Sequence, residues 1–255
     1  MASPDWHHLC HGASQTRQKA GYFTDLTEAA SMEFVRQNTS IPVPKVYCAF
    51  RRKSGRTYIV MQRSKSHKPA IGWQKRSEDS KLRILTQLKA MIDEMRSLKS
   101  PYRDAVTSAC GGSLFDDRLP GLSLRYPVNT SSRFGPFEDI RAFHRWLRRP
   151  ATDINESNFH EINELIAAHE NMEWSTPVFT HGDLSSLNIL VKDDRVVGIV
   201  DWEMAGWFPS YWGFTTASQV NFRNLMWAEY VDKFLEPKPK EWKTGQIRMK
   251  YFGDL

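Results

Sequence analysis

The sequence lacks long apolar runs and has few cysteines. No stretch of about eighteen apolar residues occurs, so no transmembrane helix and no membrane partner are expected. The first fifteen residues contain no apolar core of a signal peptide. The three cysteines lie far apart and have no metal-site spacing, which indicates reduced thiols. We therefore expect a cytoplasmic protein.

A long basic run is also missing. Lysine and arginine number 35 against 29 acidic residues, which gives a formal net charge of +6. The basic residues form small groups, and no nucleic-acid-binding motif accompanies them. We expect no nucleic-acid partner, although a basic surface can attract phosphate-bearing ligands.

What is present is the composition of a globular protein. Hydrophobic residues make up 40% of the 255 residues and charged residues 25%, which allows one large domain or two small lobes around a cleft. Residues 1–18 fit neither a strand nor a helix. After them the patterns predict a helix at 26–37, a strand hairpin, and a long amphipathic helix that starts after Ser77 and includes Leu82 in its apolar stripe.

The second half is predicted to be mostly helical. Gly, Pro, Ser and Asp dominate residues 100–136, which indicates a long loop. Shorter helices are expected at 138–148 and 158–170, and a helical tail at 211–235. The order of elements predicts an α+β fold with a cleft between a small strand-containing part and a helical part.

Chemistry is concentrated in residues 178–203. His181, Gly182 and Asp183 follow an apolar pair, and Asn188 stands five residues after Asp183, before two strands joined by a tight turn. Because Asp201 ends the second strand, the hairpin returns it to the end where Asn188 lies. Phosphoryl transfer needs a carboxylate to take the acceptor proton and hard oxygen ligands for Mg²⁺. The alternative is a polar loop with an Asx-type turn and a surface Asp201.

These residues carry a resemblance to a known family. The words HGDL, NILV and GIVDWE-x-AGW-x-P-x-YW are similar to those of the aminoglycoside phosphotransferase and choline kinase superfamily, especially its fungal members. Residues 39–47, 58–61 and 135–137 agree as well, so the resemblance covers roughly residues 19–235. It implies a two-lobed protein-kinase-like fold, with an N-terminal nucleotide-binding lobe at 1–63 and a C-terminal lobe at 64–255.

The resemblance also implies a reaction and the residues that perform it. The ATP γ-phosphoryl group would move to a hydroxyl of a small molecule, with Asp183 as catalytic base and His181 holding the loop. Asn188 and Asp201 would bind Mg²⁺. The ATP phosphates would be held by Lys19, paired with Glu28, and the adenine would lie near the hinge at Met61 and Gln62. Two alternatives stay open: Lys19 as a solvated lysine, and Glu28 as the capping-box partner of Asp25.

The sequence departs from the family pattern in three places, of which one is Gly213 after Trp212, where relatives often have an acidic residue. Only eighteen residues precede Lys19, and they hold no full G-x-G-x-x-G loop. Either the first strands of the small lobe are incomplete, or the ATP site is eroded and the chain is a pseudokinase-like binding or regulatory protein. No basic residue stands between Asp183 and Asn188, so magnesium or a basic group from elsewhere must neutralise the transition state.

An acceptor site is predicted just after Asp201. Glu203, Trp207 and Trp212 offer a carboxylate and aromatic faces, which suit a cationic acceptor. The alternative is that these tryptophans pack the large lobe. The paired acids Asp116 and Asp117 in the long loop could line the same site or cap the loop. Nothing in the sequence indicates an oligomeric state.

Overall fold

A computed structural model describes residues 16–22, 24–63, 72–119, 133–148, 160–171, 173–219 and 225–252. Its small lobe holds the antiparallel strands β1 (Thr16–Gly21), β2 (Val46–Arg51) and β3 (Thr57–Gln62), in the order β1-β3-β2. Helix α1 (Leu26–Asn38) packs against β2 and β3. The prediction that residues 16–18 form neither a strand nor a helix is wrong. They belong to β1, because backbone pairing with β3 holds them extended although their polar side chains give no strand pattern.

The start of α1 and the hairpin β2–β3 confirm two local predictions. Asp25 caps the helix, since its Oδ1 accepts from the Thr27 amide at 2.8 Å.

A connector then runs from α1 to β2, and the Pro42 carbonyl accepts from the Ile199 amide at 2.8 Å. The Ser40 amide donates to Glu94 at 2.6 Å. The connector of the small lobe is therefore bonded directly to the large lobe.

Helix α2 (Glu78–Arg96) is the long amphipathic helix, capped by Ser77 as predicted. Leu85, Leu88 and Ile92 are buried, but Leu82 is 64% exposed. Its inclusion in the apolar stripe is therefore wrong. At 100° per residue, Leu82 points about 100° away from the mean direction of the buried side chains, which places it at the edge of the packed face.

The large lobe combines short strands with helices. The segment predicted as a loop at 100–136 contains strands of only two residues, too short to give a sequence pattern: β4 (Thr107–Ser108), β5 (Leu114–Phe115) and β6 (Arg133–Phe134). The predicted hairpin exists and is preceded by a short strand: β7 (Val178–Thr180), β8 (Ile189–Lys192), β9 (Arg195–Ile199) and then β10 (Gly206–Phe208). The sheets have the orders β4-β10-β7, β5-β6 and β8-β9.

The helices of the large lobe match the predictions except at the end of the chain. Those following α2 are α3 (Ile140–Leu147), α4 (His160–Asn171), α5 (Trp212–Ser218), α6 (Leu225–Ala228), α7 (Val231–Phe234) and α8 (Pro239–Phe252). The sequence analysis ended the helical tail at 235 and missed α8. Its first residue is a proline, which the first turn of a helix tolerates. None of the described helices is long and apolar enough to cross a membrane.

Two buried histidines make the large lobe sensitive to acid. The His144 and His169 rings stack at 4.1 Å, and His144 Nε2 bonds with the Tyr211 hydroxyl at 2.8 Å. Burial lowers the pKa of His144 to about 3 and that of His169 to about 2. Both rings are therefore neutral in the folded protein at pH values where the unfolded chain binds protons.

We expect the free energy of unfolding to fall as the pH drops below about 6.5, by about 1.4 kcal/mol per pH unit for each histidine. The loss should continue towards pH 3, where the folded histidines begin to titrate. Urea unfolding of wild type and His169→Asn between pH 7 and pH 4 measures it. The free energy of unfolding should fall less steeply with pH in His169→Asn than in wild type. In the control His160→Asn, at a side chain that is 88% exposed, it should fall as steeply as in wild type. An equal slope in His169→Asn and wild type contradicts this account.

Candidate active site

The loop after β7 is organised by a buried histidine. His181 is fully buried; its Nε2 donates to the Val200 carbonyl at 3.1 Å, and its Nδ1 accepts from the Asp183 amide at 3.1 Å. One ring nitrogen must therefore carry the proton and the other must be free of it, which is the neutral form. Burial lowers the pKa of His181, in agreement with that form. His181 thereby links the loop of Asp183 to the end of the β8–β9 hairpin.

Asn188 fixes the carboxylate of Asp183. Its Nδ2 donates to Asp183 Oδ2 at 2.7 Å and to the Asp183 carbonyl at 3.0 Å. The Asn188 carbonyl in turn accepts from the Val200 amide at 2.9 Å. These bonds use the amide nitrogen of the Asn188 side chain and leave its oxygen out of the contact with Asp183.

Gly182 lets the loop pass close to the chain after Asp201. Its φ is +85°, and a Cβ at this position would lie 2.4 Å from the Met204 carbonyl oxygen. Gly55 in the β2–β3 turn has nearly the same φ, +84°, with nothing within 4 Å of the equivalent Cβ. Replacing either glycine by a residue with a Cβ would therefore strain the backbone. A steric clash would be added only at Gly182.

Gly182→Ala is expected to destabilise the protein by ~2–5 kcal/mol, the sum of left-handed strain and overpacking against rigid backbone. It should also reduce activity, since Asp183 is the next residue. Gly55→Ala should cost only ~1–2 kcal/mol, because it has the strain alone. Urea unfolding of the two variants measures the difference. Equal losses of stability would contradict the role of the Met204 contact.

An ion cluster joins the two lobes at the end of β9. Lys19 on β1 places its Nζ 2.8 Å from Glu28 Oε2, 2.8 Å from Asp201 Oδ1 and 2.9 Å from Glu203 Oε2. Asp201 has a φ of 67° and a side chain that is 42% exposed, so it faces the cleft side of the cluster. The geometry brings Lys19, Glu28 and Asp201 together. It places Glu203, an expected acceptor contact, in the same cluster.

Glu28 and Lys19 respond differently to this environment. Burial alone would lower the pKa of Lys19, but the carboxylates of Glu28 and Asp201 outweigh it and raise that pKa above its usual range. Burial raises the pKa of Glu28 to about 7, with Asp201 and Glu203 adding repulsion and Lys19 opposing the rise. Lys19 is thus firmly charged, whereas Glu28 binds a proton more readily than an ordinary glutamate does. With Glu28 only 2% exposed and ion-paired, neither a solvated Lys19 nor a capping Glu28 describes the geometry.

The donor chemistry of this cluster suits Mg²⁺. Carboxylate oxygens of Glu28, Asp201 and Glu203 all lie within 4.8 Å of one another. Hard oxygen donors of this kind, together with phosphate oxygens and water, are what Mg²⁺ binds. Of the two ligands that the sequence predicts, Asp201 belongs to this group of carboxylates and lies at its exposed side, where Lys19 Nζ now contacts Asp201 Oδ1.

The remaining predicted site residues lie in different surroundings. Met61 is buried and Gln62 is exposed at the end of β3, where the Gln62 amide donates to the Lys45 carbonyl at 2.8 Å. Trp207 is fully buried with its ring 5.2 Å from Phe179, so it packs in the core rather than at an acceptor surface. Trp212 is 6% exposed and lines a pocket of the large lobe that Asp116 and Arg118 also line.

Sequence reasoning missed one basic residue at the loop. Arg118 donates to the Gly182 carbonyl at 2.5 Å and holds Asp116 through two bonds, of 2.8 and 2.7 Å. It is a basic group supplied from elsewhere in the chain, next to the loop that lacks one between Asp183 and Asn188. The sequence feature that could have drawn attention to Arg118 is the pair of acids directly before it, Asp116 and Asp117. Only the fold shows that the segment with Arg118 lies against the loop of Asp183.

Comparison with known proteins finds a relative of low sequence identity. Clavilactone A biosynthesis cluster protein Y of Ampulloclitocybe clavipes is 24% identical over 195 residues, which cover 69% of this chain and 48% of that protein. The chain thus spans about half the length of this curated relative.

Solved structures show the same fold at low identity. Aminoglycoside phosphotransferase APH(4)-Ia superposes with a TM-score of 0.62 at 13% identity, over 92% of this chain and 76% of that one. A thermostable mutant of that enzyme, in a ternary complex with AMP-PNP and hygromycin B, gives 0.61 at 13% identity over the same shares. The gentamicin–APH(2")-IIa complex gives 0.54 at 15% identity, over 98% and 87%.

The phosphotransferase enzyme family provides the decisive match, because its sequence model aligns with residues 26–236. That range includes α1, the loop of Asp183, the β8–β9 hairpin and Asp201. With most of the chain matched and a two-lobed, kinase-like α+β fold, this protein belongs to the phosphotransferase enzyme family.

Proposed function

We propose that this protein transfers the γ-phosphoryl group of ATP to a hydroxyl of a small molecule. The observation that carries the proposal is the pair of bonds from Asn188 to Asp183, set beside a cluster in which Lys19 contacts Asp201. In this proposal Asp183 is the base, Asp201 is a metal ligand and Lys19 is the cation that binds phosphate. Each of the three side chains has contacts that hold it in place. The family match and the neighbours that bind AMP-PNP support the same reaction class.

The proposed mechanism starts with Asp183. Its carboxylate, held by Asn188, orients the acceptor hydroxyl and takes its proton. The hydroxyl oxygen bonds to the γ-phosphorus, and the bond from that phosphorus to the β,γ-bridging oxygen breaks. ADP leaves with the electron pair. Asn188 and Asp201 would hold Mg²⁺, which when bound neutralises charge on the phosphate oxygens.

Lys19 and Arg118 have supporting roles in this proposal. Lys19 would exchange its contacts with Asp201 and Glu203 for phosphate oxygens while Glu28 keeps it in place. Arg118, through the Gly182 carbonyl, would hold the catalytic loop and add positive charge near Asp183. The nucleotide-binding lobe would end near residue 63, so that the adenine lies beside Met61 and Gln62. Glu203 and Trp212 stay proposals as acceptor contacts.

A thermal-shift titration with Mg-ATP tests nucleotide use. Binding to the folded state alone should stabilise the protein by about 2.7 kcal/mol at a hundred times the dissociation constant. Lys19→Met should reduce the shift, whereas Lys233→Met, at a side chain that is 59% exposed, should leave it unchanged. No shift at millimolar Mg-ATP would favour the pseudokinase-like alternative. We propose a cytoplasmic location, where ATP is available as the donor.

A further inference from the structure

An arginine of the large lobe reaches across to the small lobe. Arg133 lies on β6, next to Phe134 in the core of the large lobe. Its Nε donates to the Ser113 hydroxyl at 2.9 Å, and its Nη2 donates to the Ser113 carbonyl. The same Nη2 donates to the Thr27 hydroxyl at 3.1 Å, at the start of α1, and Nη1 lies 3.5 Å from Asp25 Oδ1. Arg133 therefore contacts both lobes at once.

The guanidinium is suited to this bridge. It carries five donors in a rigid plane, so it can bond groups that lie in different directions. The Arg133 side chain is 15% exposed, which limits screening of its charge by salt. Asp25 also accepts from Arg51 of β2 at 2.9 Å, at a side chain that is 51% exposed. Asp25 thus has one arginine from each lobe.

Helix α1 is thereby fastened to the large lobe at both ends. At the far end the Pro42 carbonyl accepts from the Ile199 amide. Glu28 comes directly after Thr27, ten residues before the end of the helix, which is a distance of about 15 Å. If only the far end were held, a tilt of about 5° would move Glu28 by about 1.3 Å. The bond from Arg133 opposes that tilt.

The same part of the large lobe also contacts the loop of Asp183. Ser113 directly precedes β5, which pairs with β6. Arg118 stands three residues after β5 and donates to the Gly182 carbonyl. The β5–β6 strands therefore lie between the start of α1 and the loop that carries the proposed base.

We infer that Arg133 is a positioning residue, which ties the start of α1 to the β5–β6 strands. It thereby holds Glu28, and through Glu28 also Lys19, in a fixed place relative to Asp183. This role rests on the proposed function, in which Lys19 binds the ATP phosphates. A displacement of about 1 Å can cost an enzyme about 10²-fold in rate, so the tether should affect nucleotide binding as well as stability.

Calorimetric binding of Mg-AMP-PNP to the full chain tests the positioning role. Arg133→Gln should weaken binding about five-fold or more, since the shorter amide cannot bond both lobes. Arg133→Lys should weaken it less, because the ammonium can still pair with Asp25. The matched control is Arg51→Gln, which removes the arginine that reaches Asp25 from within the small lobe. It should leave the dissociation constant unchanged.

A double-mutant cycle on urea unfolding, without nucleotide, tests the tether itself. Thr27→Val removes the hydroxyl that accepts from Arg133 and keeps the shape of the side chain. Because the two side chains contact each other, the effects of Thr27→Val and Arg133→Gln should not be additive. The double variant should raise the equilibrium constant of unfolding less than the product of the single effects, by about two-fold or more.

Two results would overturn the inference: equal effects of Arg133→Gln and Arg51→Gln on the dissociation constant, or additive effects in the cycle. Should Arg133→Gln fail to fold, Arg133→Lys replaces it in both measurements, with Arg51→Lys as its control. If wild type binds no nucleotide, the proposed reaction fails, and the cycle alone decides whether the tether exists.

Discussion

Replacing Asp183 with asparagine should lower kcat for ATP-dependent phosphoryl transfer by about 10²–10⁴-fold. An amide cannot take the acceptor proton, yet it has the same shape and can still accept from Asn188 Nδ2, which now binds Asp183 Oδ2 at 2.7 Å. The loop should therefore keep its geometry while it loses its base. Release of ADP in the presence of Mg²⁺ measures the loss, first with water and then with candidate hydroxyl acceptors.

Asp232→Asn is the matched control for this experiment. It makes the same change of an acid to its amide, at a side chain on α7 that is 49% exposed. Its kcat should equal that of wild type. If Asp183→Asn retained full activity, Asp183 would not be the base and the proposed mechanism would fail.

Asp201→Asn should reduce activity by about 10³-fold, since a metal ion contributes several kcal/mol of charge stabilisation to the transition state. Asparagine keeps the side-chain length and tolerates the positive φ of 67° at this position. Stability should therefore hardly change, whereas Asp201→Ala should lose an additional ~1–2 kcal/mol from backbone strain. ADP release measured across a range of Mg²⁺ concentrations tests the metal role, because weaker binding should raise the Mg²⁺ requirement.

Asp193→Asn provides the control from the same hairpin. Asp193 lies in the turn between β8 and β9, is exposed, and also has a positive φ, of 54°. The variant should match wild type in both activity and Mg²⁺ requirement. An Asp201→Asn variant with the Mg²⁺ requirement of wild type would argue against Asp201 as a ligand.

Local sequence patterns were enough to predict the elements that form the candidate site. Alternating apolar residues and a charged turn defined the β8–β9 hairpin, and its ends fixed where Asn188 and Asp201 would lie. The capping residues Asp25 and Ser77 began their helices as predicted. These features depend on neighbours in the chain, so short-range physics determines them.

Features that depend on distant partners could not be predicted in this way. Strand β1 is mostly polar and exists because β3 lies beside it, so Lys19 gave no strand signal. Arg118 meets Gly182 across 64 positions of sequence. Trp207 and Trp212 looked alike in the sequence, and only packing separates a core residue from one that lines a pocket.

The bond from Ile199 to Pro42 has a consequence for how the cleft can open. The connector that follows α1 is attached to β9, and Asp201 comes two residues after that strand. Glu28, carried by α1, and Asp201 therefore belong to one mechanical unit, while β1 with Lys19 is joined to that unit through the sheet. Because α1 also packs against β2 and β3, the small lobe cannot swing away at this edge unless the bond from Ile199 to Pro42 breaks. The amide of Ile199 should therefore exchange its hydrogen slowly while the cleft stays closed at this edge, and faster exchange would report its opening.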